Sequence, residues 1–244
     1  LLIWTTTPWT VPANVAVGVN TKFTYGIWED EKGEKYIFLY TGEEGAIAKR
    51  IDKKEGEVSL ERWVMKESGR ILHHTGKNVK GSELLGLEYV APFDNLPRVR
   101  EAKKEHPDVF HRIVDGSDIV VSIEGTGLLH IAPGAGKEDF DLGKEEHLSV
   151  ISVIDDEANY LDEMAEFSGK NAKKHPEIII DYLKTLDSGK YLLKTMQFTH
   201  RYPACWRCKT ELVWKVADEW YISMKELRPK LMEVAKKITW LHEF

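Results

Sequence analysis

Ile119-Val-Val-Ser-Ile-Glu-Gly-Thr-Gly-Leu-Leu-His-Ile-Ala-Pro-Gly-Ala-Gly-Lys-Glu-Asp-Phe140 is the stretch on which the reading of this chain turns. Ile119–Ile123, apolar but for Ser122, looks like a buried strand, and Leu128–Ala132, apolar but for His130, like a second strand returning beside it. Gly125 and Gly127 between them allow a turn with close backbone approach. Pro133, Gly134 and Gly136 make a loop, and from Lys137 to about Glu146 the composition is helical. His130 then falls in a strand and Asp139 in the first turn of a helix. A glycine-rich bend feeding a helix N-terminus suits ribose or phosphate oxygens, or a charged substrate group. The glycines fit neither a dinucleotide fingerprint nor a Walker loop, since no Gly-Lys-Ser or Gly-Lys-Thr follows.

A second segment, Leu1-Leu-Ile-Trp-Thr-Thr-Thr-Pro-Trp-Thr-Val-Pro-Ala-Asn14, concentrates four hydroxyls, two indoles and two prolines. Leu1–Trp4 reads as strand, and then the apolar pattern stops. Thr5, Thr6 and Thr7 suit an extended backbone but bring three hydroxyls that each donate and accept hydrogen bonds. Pro8 and Pro12 fix two φ angles, so the segment is a kinked rim of low entropy. Taken alone it reads equally well as an edge strand with a proline turn. Asp139 alone could serve only the helix dipole, and a lone His130 could be a hydrogen-bonded core residue.

The rest of the chain predicts an α+β fold. Phe23–Trp28 and Lys35–Tyr40 flank a hairpin turn at Glu31–Glu34. Glu43–Ile51 reads as a short helix, Gly56–Met65 as a strand, and Glu83–Tyr89 as a Leu-rich segment ending at Pro92. Strands are expected at Arg112–Ile123, Leu128–Ile131, Val150–Ile154 and Lys190–Thr199. Helices are expected at Asn171–Lys174 and from His175 to Leu186, where Pro176 suits a first turn.

With 244 residues and 42% hydrophobic content the chain can bury a full core. A net charge of −6 argues against generic nucleic-acid binding, so any RNA contact must be local or come from outside this sequence. No stretch has the length of an apolar membrane span, and two cysteines two residues apart exclude a disulfide framework, so the expected compartment is cytoplasmic.

Together the two segments resemble the editing (CP1) domain of the class I aminoacyl-tRNA synthetases for isoleucine, valine and leucine, in its isoleucine form. The threonine signature stands as Trp4-Thr-Thr-Thr-Pro-Trp-Thr10 with Pro12-Ala-Asn14, and the second as Gly125-Thr-Gly-Leu-Leu-His-Ile-Ala-Pro-Gly134 with Asp139-Phe140. Valyl and leucyl relatives typically carry Arg-Pro after the threonines and Lys or Met where His130 stands. Gly81-Ser-Glu-Leu-Leu-Gly-Leu87 with Pro92-Phe93, and His200-Arg-Tyr-Pro-Ala-Cys-Trp-Arg-Cys208, extend the resemblance to nearly the whole chain.

The resemblance implies a β-barrel core with peripheral helices, an editing domain over residues 1–195, and a return segment over 196–244 with a CxxC knuckle and a C-terminal helix. It implies hydrolysis, by attack of water, of valine misattached to the tRNA for isoleucine, and also of valyl-adenylate. One missing methylene gives only about 1–3 kcal/mol of discrimination, a general limit for which this synthetase family is itself the standard illustration. A second pocket that excludes the larger product supplies the rest.

Asp139 would bind the α-ammonium and so position the scissile carbonyl. Thr10 and His130 would close around the valine side chain. Thr5, Thr6 and Thr7 would orient the carbonyl, the terminal adenosine and the water. Gly127 would bring backbone close to the substrate, and Trp9 and Asn14 would brace the pocket or contact the adenosine. Ala135 stands where bacterial members often carry a polar residue. The implied partners are the 3′ acceptor end of tRNA carrying valine and the remainder of the synthetase, with no membrane.

No cofactor is expected for editing. Cys205 and Cys208 have zinc-ligand spacing, and His200 lies near, but a structural zinc takes four ligands. The chain opens without Met inside a strand-like run, lacks His-Ile-Gly-His and Lys-Met-Ser-Lys-Ser, and closes on an amphipathic stretch, Trp220–Phe244. The expectation is an excised domain that does not aminoacylate. Three other readings stand beside it: an editing-type domain of the valyl or leucyl relatives, a module that binds the tRNA acceptor end without chemistry, and an unrelated small-molecule esterase.

Overall fold

The computed structural model describes residues 1–42, 49–52, 56–122, 125–197 and 201–239. Val15-Ala-Val-Gly-Val19 carries no polar side chain, and its strand β1 (Ala16–Val19) is buried at all four positions. That is the pattern of a central strand covered on both faces. It pairs in parallel with β7 (Arg112–Asp115) and antiparallel with β8 (Leu128–Ile131), which sets Val17 opposite both Ile113 and His130.

A second sheet has β2 (Thr24–Asp30) between β3 (Lys35–Leu39) and β6 (Leu72–Lys80). Its hairpin closes because Asp30 Oδ1 accepts from the backbone N–H groups of Lys32 and Glu34, each at 2.9 Å. β4 (Lys49–Asp52) and β5 (Gly56–Ser59) form a separate pair. The class is therefore mixed α and β, as the sequence predicts. Among the described residues the strands lie in three small sheets, and no ladder closes them into a barrel. β3 is instead joined to both signature segments by single bonds, Leu2 N–H to Ile37 O at 3.0 Å and Leu39 N–H to Thr126 O at 2.9 Å.

Among the described residues the chain forms six α-helices. In α1 (Leu60–Ser68) the Ser59 hydroxyl caps Arg62 N–H at 3.3 Å, and Gly69 at φ 69° ends it. The strand expected over Gly56–Met65 is thus β5 followed by α1. Leu60 and Val64, four apart and both buried, carry a helical period that a short apolar run conceals. α2 (Gly81–Leu84) is a single turn that overlaps only the start of the Leu-rich segment expected over Glu83–Tyr89. α3 (Pro97–Glu105) starts on proline and buries Val99 and Ala102; its charged face masks it in the sequence. α4 (Lys137–Glu145) and α5 (Glu177–Thr185, behind Pro176) agree with expectation. α6 (Met224–Ala235) buries no residue. None of these helices is long and apolar enough to cross a membrane.

Four other expectations are corrected. Past Asp115 the strand expected to Ile123 ends, because the N–H groups of Ile119 and Val120 turn back onto Gly116 O at 2.9 and 2.7 Å. Residues 150–154 form no strand and make one isolated bridge, Ile154 to Tyr160. Asn171–Lys174 is a turn, with Asn171 Oδ1 accepting from Lys173 and Lys174 N–H. Residues 190–197 are irregular. Of the helix expected over Glu43–Ile51, residues 43–48 lie outside the described residues and the remainder is β4.

The largest buried cluster joins Trp9, Val15, Phe93, Ile131, Ile151, Phe167 and Ile179, and so fastens the threonine segment, β8 and α5 together. Gly134 enters this junction closely: a Cβ there would lie 2.1 Å from Ile151 O. Gly134→Ala is expected to cost about 2–3 kcal/mol, as overpacking does. That corresponds to a Tm lower by roughly 5–10 °C for a chain of this size. An unchanged melting curve would mean that the loop before α4 is not held against residue 151.

Candidate functional site

The two signature segments meet. Trp4 bridges Leu129 in parallel, which lays the threonines along the edge of β8. Residues 8–13 then coil into a 3-10 turn, where Pro8 presets φ and the Thr10 N–H bonds Thr7 O at 3.0 Å. Gly125 and Gly127, at φ 66° and 76°, turn the chain into β8. At Gly127 a Cβ would also lie 2.7 Å from the Leu39 Cβ, so a side chain is excluded there. The Gly134–Gly136 loop delivers Asp139 on the first turn of α4.

These elements enclose a cavity of about 360 Å³. Thr5, Thr6, Thr7, Thr10, Gly127, His130 and Asp139 all line it, with Trp4 and the apolar residues 119–121 completing the wall. Trp9 and Asn14 do not line it. Trp9 is 3% exposed and packs in the main core, where its carbonyl accepts from the Tyr160 hydroxyl at 3.1 Å. Asn14 is buried behind His130. Of the two roles expected for this pair, bracing is the one that their positions allow.

The hydroxyls form a chain. Thr10 Oγ1 donates to Thr7 O at 2.9 Å and lies 3.2 Å from His130 Nε2. Thr7 Oγ1 is 3.3 Å from Thr10 Oγ1 and 3.4 Å from Thr5 Oγ1, and the Thr7 N–H donates to Thr5 Oγ1 at 3.1 Å. Thr6 is exposed, and its hydroxyl has no protein partner among the described residues, so it is free for a ligand.

His130 and Asp139 are the titratable side chains of the wall. Burial lowers the His130 pKa to about 4, so the ring is neutral at pH 7. Both its nitrogens are engaged, Nδ1 by Asn14 at 2.8 Å and Nε2 by Thr10. A ring so committed has no free nitrogen to offer a water. Asp139 is pushed the other way. Burial raises its pKa to about 6, against the pull of the Ala132 N–H on Oδ2 at 2.9 Å. Among the described residues no cation pairs with it, so its charge faces the cavity uncompensated, as an anchor for a cationic ligand group would.

Cys205 and Cys208 lie away from this wall, in a tight turn closed by Cys205 N–H to Thr210 O at 2.8 Å and Lys209 N–H to Cys205 O at 2.9 Å. Hydrogen bonds from Thr210 first, and then from Cys205, lower the Cys208 thiol to about 7. His200 lies outside the described residues, among which no three His, Cys, Asp or Glu side chains gather as a metal site. Two thiols alone do not make a zinc centre.

The sequence reading brings seven of its nine organic-site residues to one cavity. It misses the wall at 119–121, read as a strand, and the pair Tyr89 and His111 behind Asn14, for which no local pattern gives a signal.

No protein-family model matches the chain. It is 37% identical over 243 residues to the isoleucine–tRNA ligase of Pyrococcus abyssi, covering 98% of this chain and 20% of that protein. The isoleucine–tRNA ligase of Archaeoglobus fulgidus is 35% identical over 245 residues, covering 100% and 21%. That of Sulfolobus acidocaldarius is 33% identical over 244 residues, with the same coverage. The chain thus spans about a fifth of the length of these relatives. A crystal structure of GlLeuRS-CP1 aligns with a TM-score of 0.45 and 14% identity, over 73% of this chain and 78% of that one.

Proposed function

The chain belongs with the isoleucine–tRNA ligases, and from that kinship we propose that it is their editing domain, hydrolysing valine misattached to the tRNA for isoleucine. The observation that carries the reading is the convergence of four threonines, a neutral His130 and an uncompensated Asp139 on one cavity. An aminoacyl ester offers an α-ammonium, a carbonyl and ribose hydroxyls, and the wall holds a complement for each.

Asp139 takes the ammonium and fixes the carbonyl. Thr6 and Thr7 hold the attacking water and stabilise the oxyanion as it forms. Thr5 holds the terminal adenosine. Thr10 and His130 stand against the valine side chain and leave no room for another carbon. Water attacks directly, since no Ser, Cys or Lys lines the wall beside a free base. The barrel core of the synthetase editing type belongs to the same proposal, with β3 as the element that would close it onto the signature segments. So does the division at residue 195, after which the exposed apolar face of α6, with Leu231 and Met232 more than half exposed, awaits the body of the ligase.

The test is deacylation by this chain of tRNA for isoleucine charged with valine or with isoleucine. Loss of the valyl ester alone is expected. Survival of both esters, with valyl-adenosine analogues bound, would leave a binding module; turnover of simple esters irrespective of adenosine would make it a general esterase.

A further inference from the structure

Behind the cavity wall a chain of polar groups runs from half-buried Asp94 to His130, where it meets the cavity lining. Asn14 is its centre. Its Nδ2 contacts Ala16 O at 2.9 Å and Ile131 O at 3.4 Å, and carbonyl oxygens only accept, so this atom is the amide nitrogen and the donor. The same nitrogen lies 2.8 Å from His130 Nδ1, which must therefore be the bare, accepting nitrogen. The ring proton sits on Nε2 and points to Thr10 Oγ1, whose own proton goes to Thr7 O. One amide orientation thus fixes the proton direction along the threonine chain.

Besides the Ala16 and Ile131 carbonyls, the amide is held from the side away from the cavity. The Tyr89 hydroxyl donates to Asn14 Oδ1 at 2.5 Å, and burial pushes that phenol well above its ordinary pKa, so it remains a donor. The Tyr89 ring stacks on His111 at 5.0 Å. His111 is 2% exposed and has φ 53°, a conformation that a residue other than glycine keeps only when its surroundings enforce it. Here its N–H bonds Val15 O at 2.7 Å and its Nε2 the Asn14 carbonyl at 3.2 Å. Its Nδ1 lies 3.1 Å from Asp94 Oδ1, close but not aligned as a hydrogen bond.

We propose that Tyr89 is a positioning residue which, through the Asn14 amide, locks His130 in the Nε2–H tautomer and in one ring orientation, and so sets the size limit of the cavity. Without the hydroxyl, Asn14 Oδ1 is left as a buried acceptor, and the available relief is a rotated amide whose Oδ1 accepts from a His130 Nδ1–H, at the cost of the Nδ2 bond to Ala16 O. The size consequence rests on the editing reading; the tautomer does not.

Long-range 15N–1H spectra of the histidine-labelled chain at pH 7 read the ring directly. In the parent, His130 is expected with Nδ1 bare and Nε2 protonated. Asn14→Asp, which replaces the donor with an acceptor, is expected to protonate Nδ1. Tyr89→Phe keeps the stack on His111 and is expected to show the Nδ1–H form as a second population, with the preference for valyl over isoleucyl ester reduced about 3- to 10-fold. A parent ring protonated on Nδ1, or a Tyr89→Phe ring spectrum identical to the parent's, overturns the assignment whatever the rates do. If the ring changes as expected while neither ester is turned over, the positioning role stands and the editing reading falls.

Discussion

Asp139→Asn is expected to lower kcat/KM for the valyl ester by at least 100-fold while raising the melting temperature at pH 8. The two effects share one cause. A carboxylate held at about 6 by burial is ionised at pH 8 against its surroundings, and among the described residues no cation pairs with it. Removing a charged partner from a substrate ammonium costs about 3 kcal/mol, which is roughly 100-fold in rate. The amide keeps an oxygen for the Ala132 N–H but carries no charge, so the folded state gains on the order of 1 kcal/mol.

The sign follows from the raised pKa. The folded chain binds this proton more tightly than the unfolded one, so the contribution of Asp139 to stability declines as pH rises from 3.8 to about 6 and is level above that. The same ionisation predicts that kcat/KM, corrected for spontaneous hydrolysis, climbs through pH 6, and that the inflection vanishes in Asp139→Asn. An inflection that survives the substitution would assign it to another group. Loss of activity without gain in stability would mean that Asp139 is already compensated in the free protein.

What the sequence discloses of the fold depends on whether local chemistry and tertiary pairing agree. The β2–β3 hairpin has its own turn residues, and α5 follows Pro176, so both are legible. Ile119–Val121 and Val150–Ile154 are as apolar as any strand, yet their backbone groups find partners in turns and loops rather than in a ladder. Apolar composition reports burial there, which Val120, Ile151, Val153 and Ile154 meet while Val121 and Val150 stay exposed; it does not report pairing. α1 fails in the opposite way, since four residues of real strand precede it and the cap at Ser59 comes with no capping-box Glu or Gln three residues on to flag it.

The site was legible where a side chain touches the cavity and obscure where it acts from behind. Threonines in a run, a histidine in a glycine-framed strand and an acid on a first helical turn are recognisable as chemistry. Asn14 belongs to the same signature, but its role depends on Tyr89 and His111, which come from elements 75 and 97 residues away in the chain. No pattern within a sequence window can show that three such residues share a buried junction. Trp9 illustrates the converse: an indole inside the signature, but directed into the core with Phe93 and Phe167 among its cluster.

His130→Ala is expected to let isoleucine in. If the ring is the wall, its removal opens room for more than the one methylene by which the two substrates differ. The discrimination to be lost is then what one methylene can command, about 1–3 kcal/mol, or roughly 10- to 100-fold more hydrolysis of the isoleucyl ester relative to the valyl ester. The valyl ester itself should be cleaved within several-fold of the parent rate, because the ring supplies neither the ammonium contact nor, with both nitrogens engaged, the base.

The substitution also removes one acceptor of Asn14 Nδ2, which keeps Ala16 O, and a partner of Thr10, and it empties a buried volume, so a stability loss of about 2–3 kcal/mol should accompany it. Assays therefore belong well below the variant's melting temperature. Isoleucyl ester that remains intact while valyl ester is still cleaved would move the size limit to the opposite wall at residues 119–121, where apolar side chains face the same cavity. Equal loss of both activities would instead make His130 part of the hydrolytic step, against its neutral and doubly engaged ring.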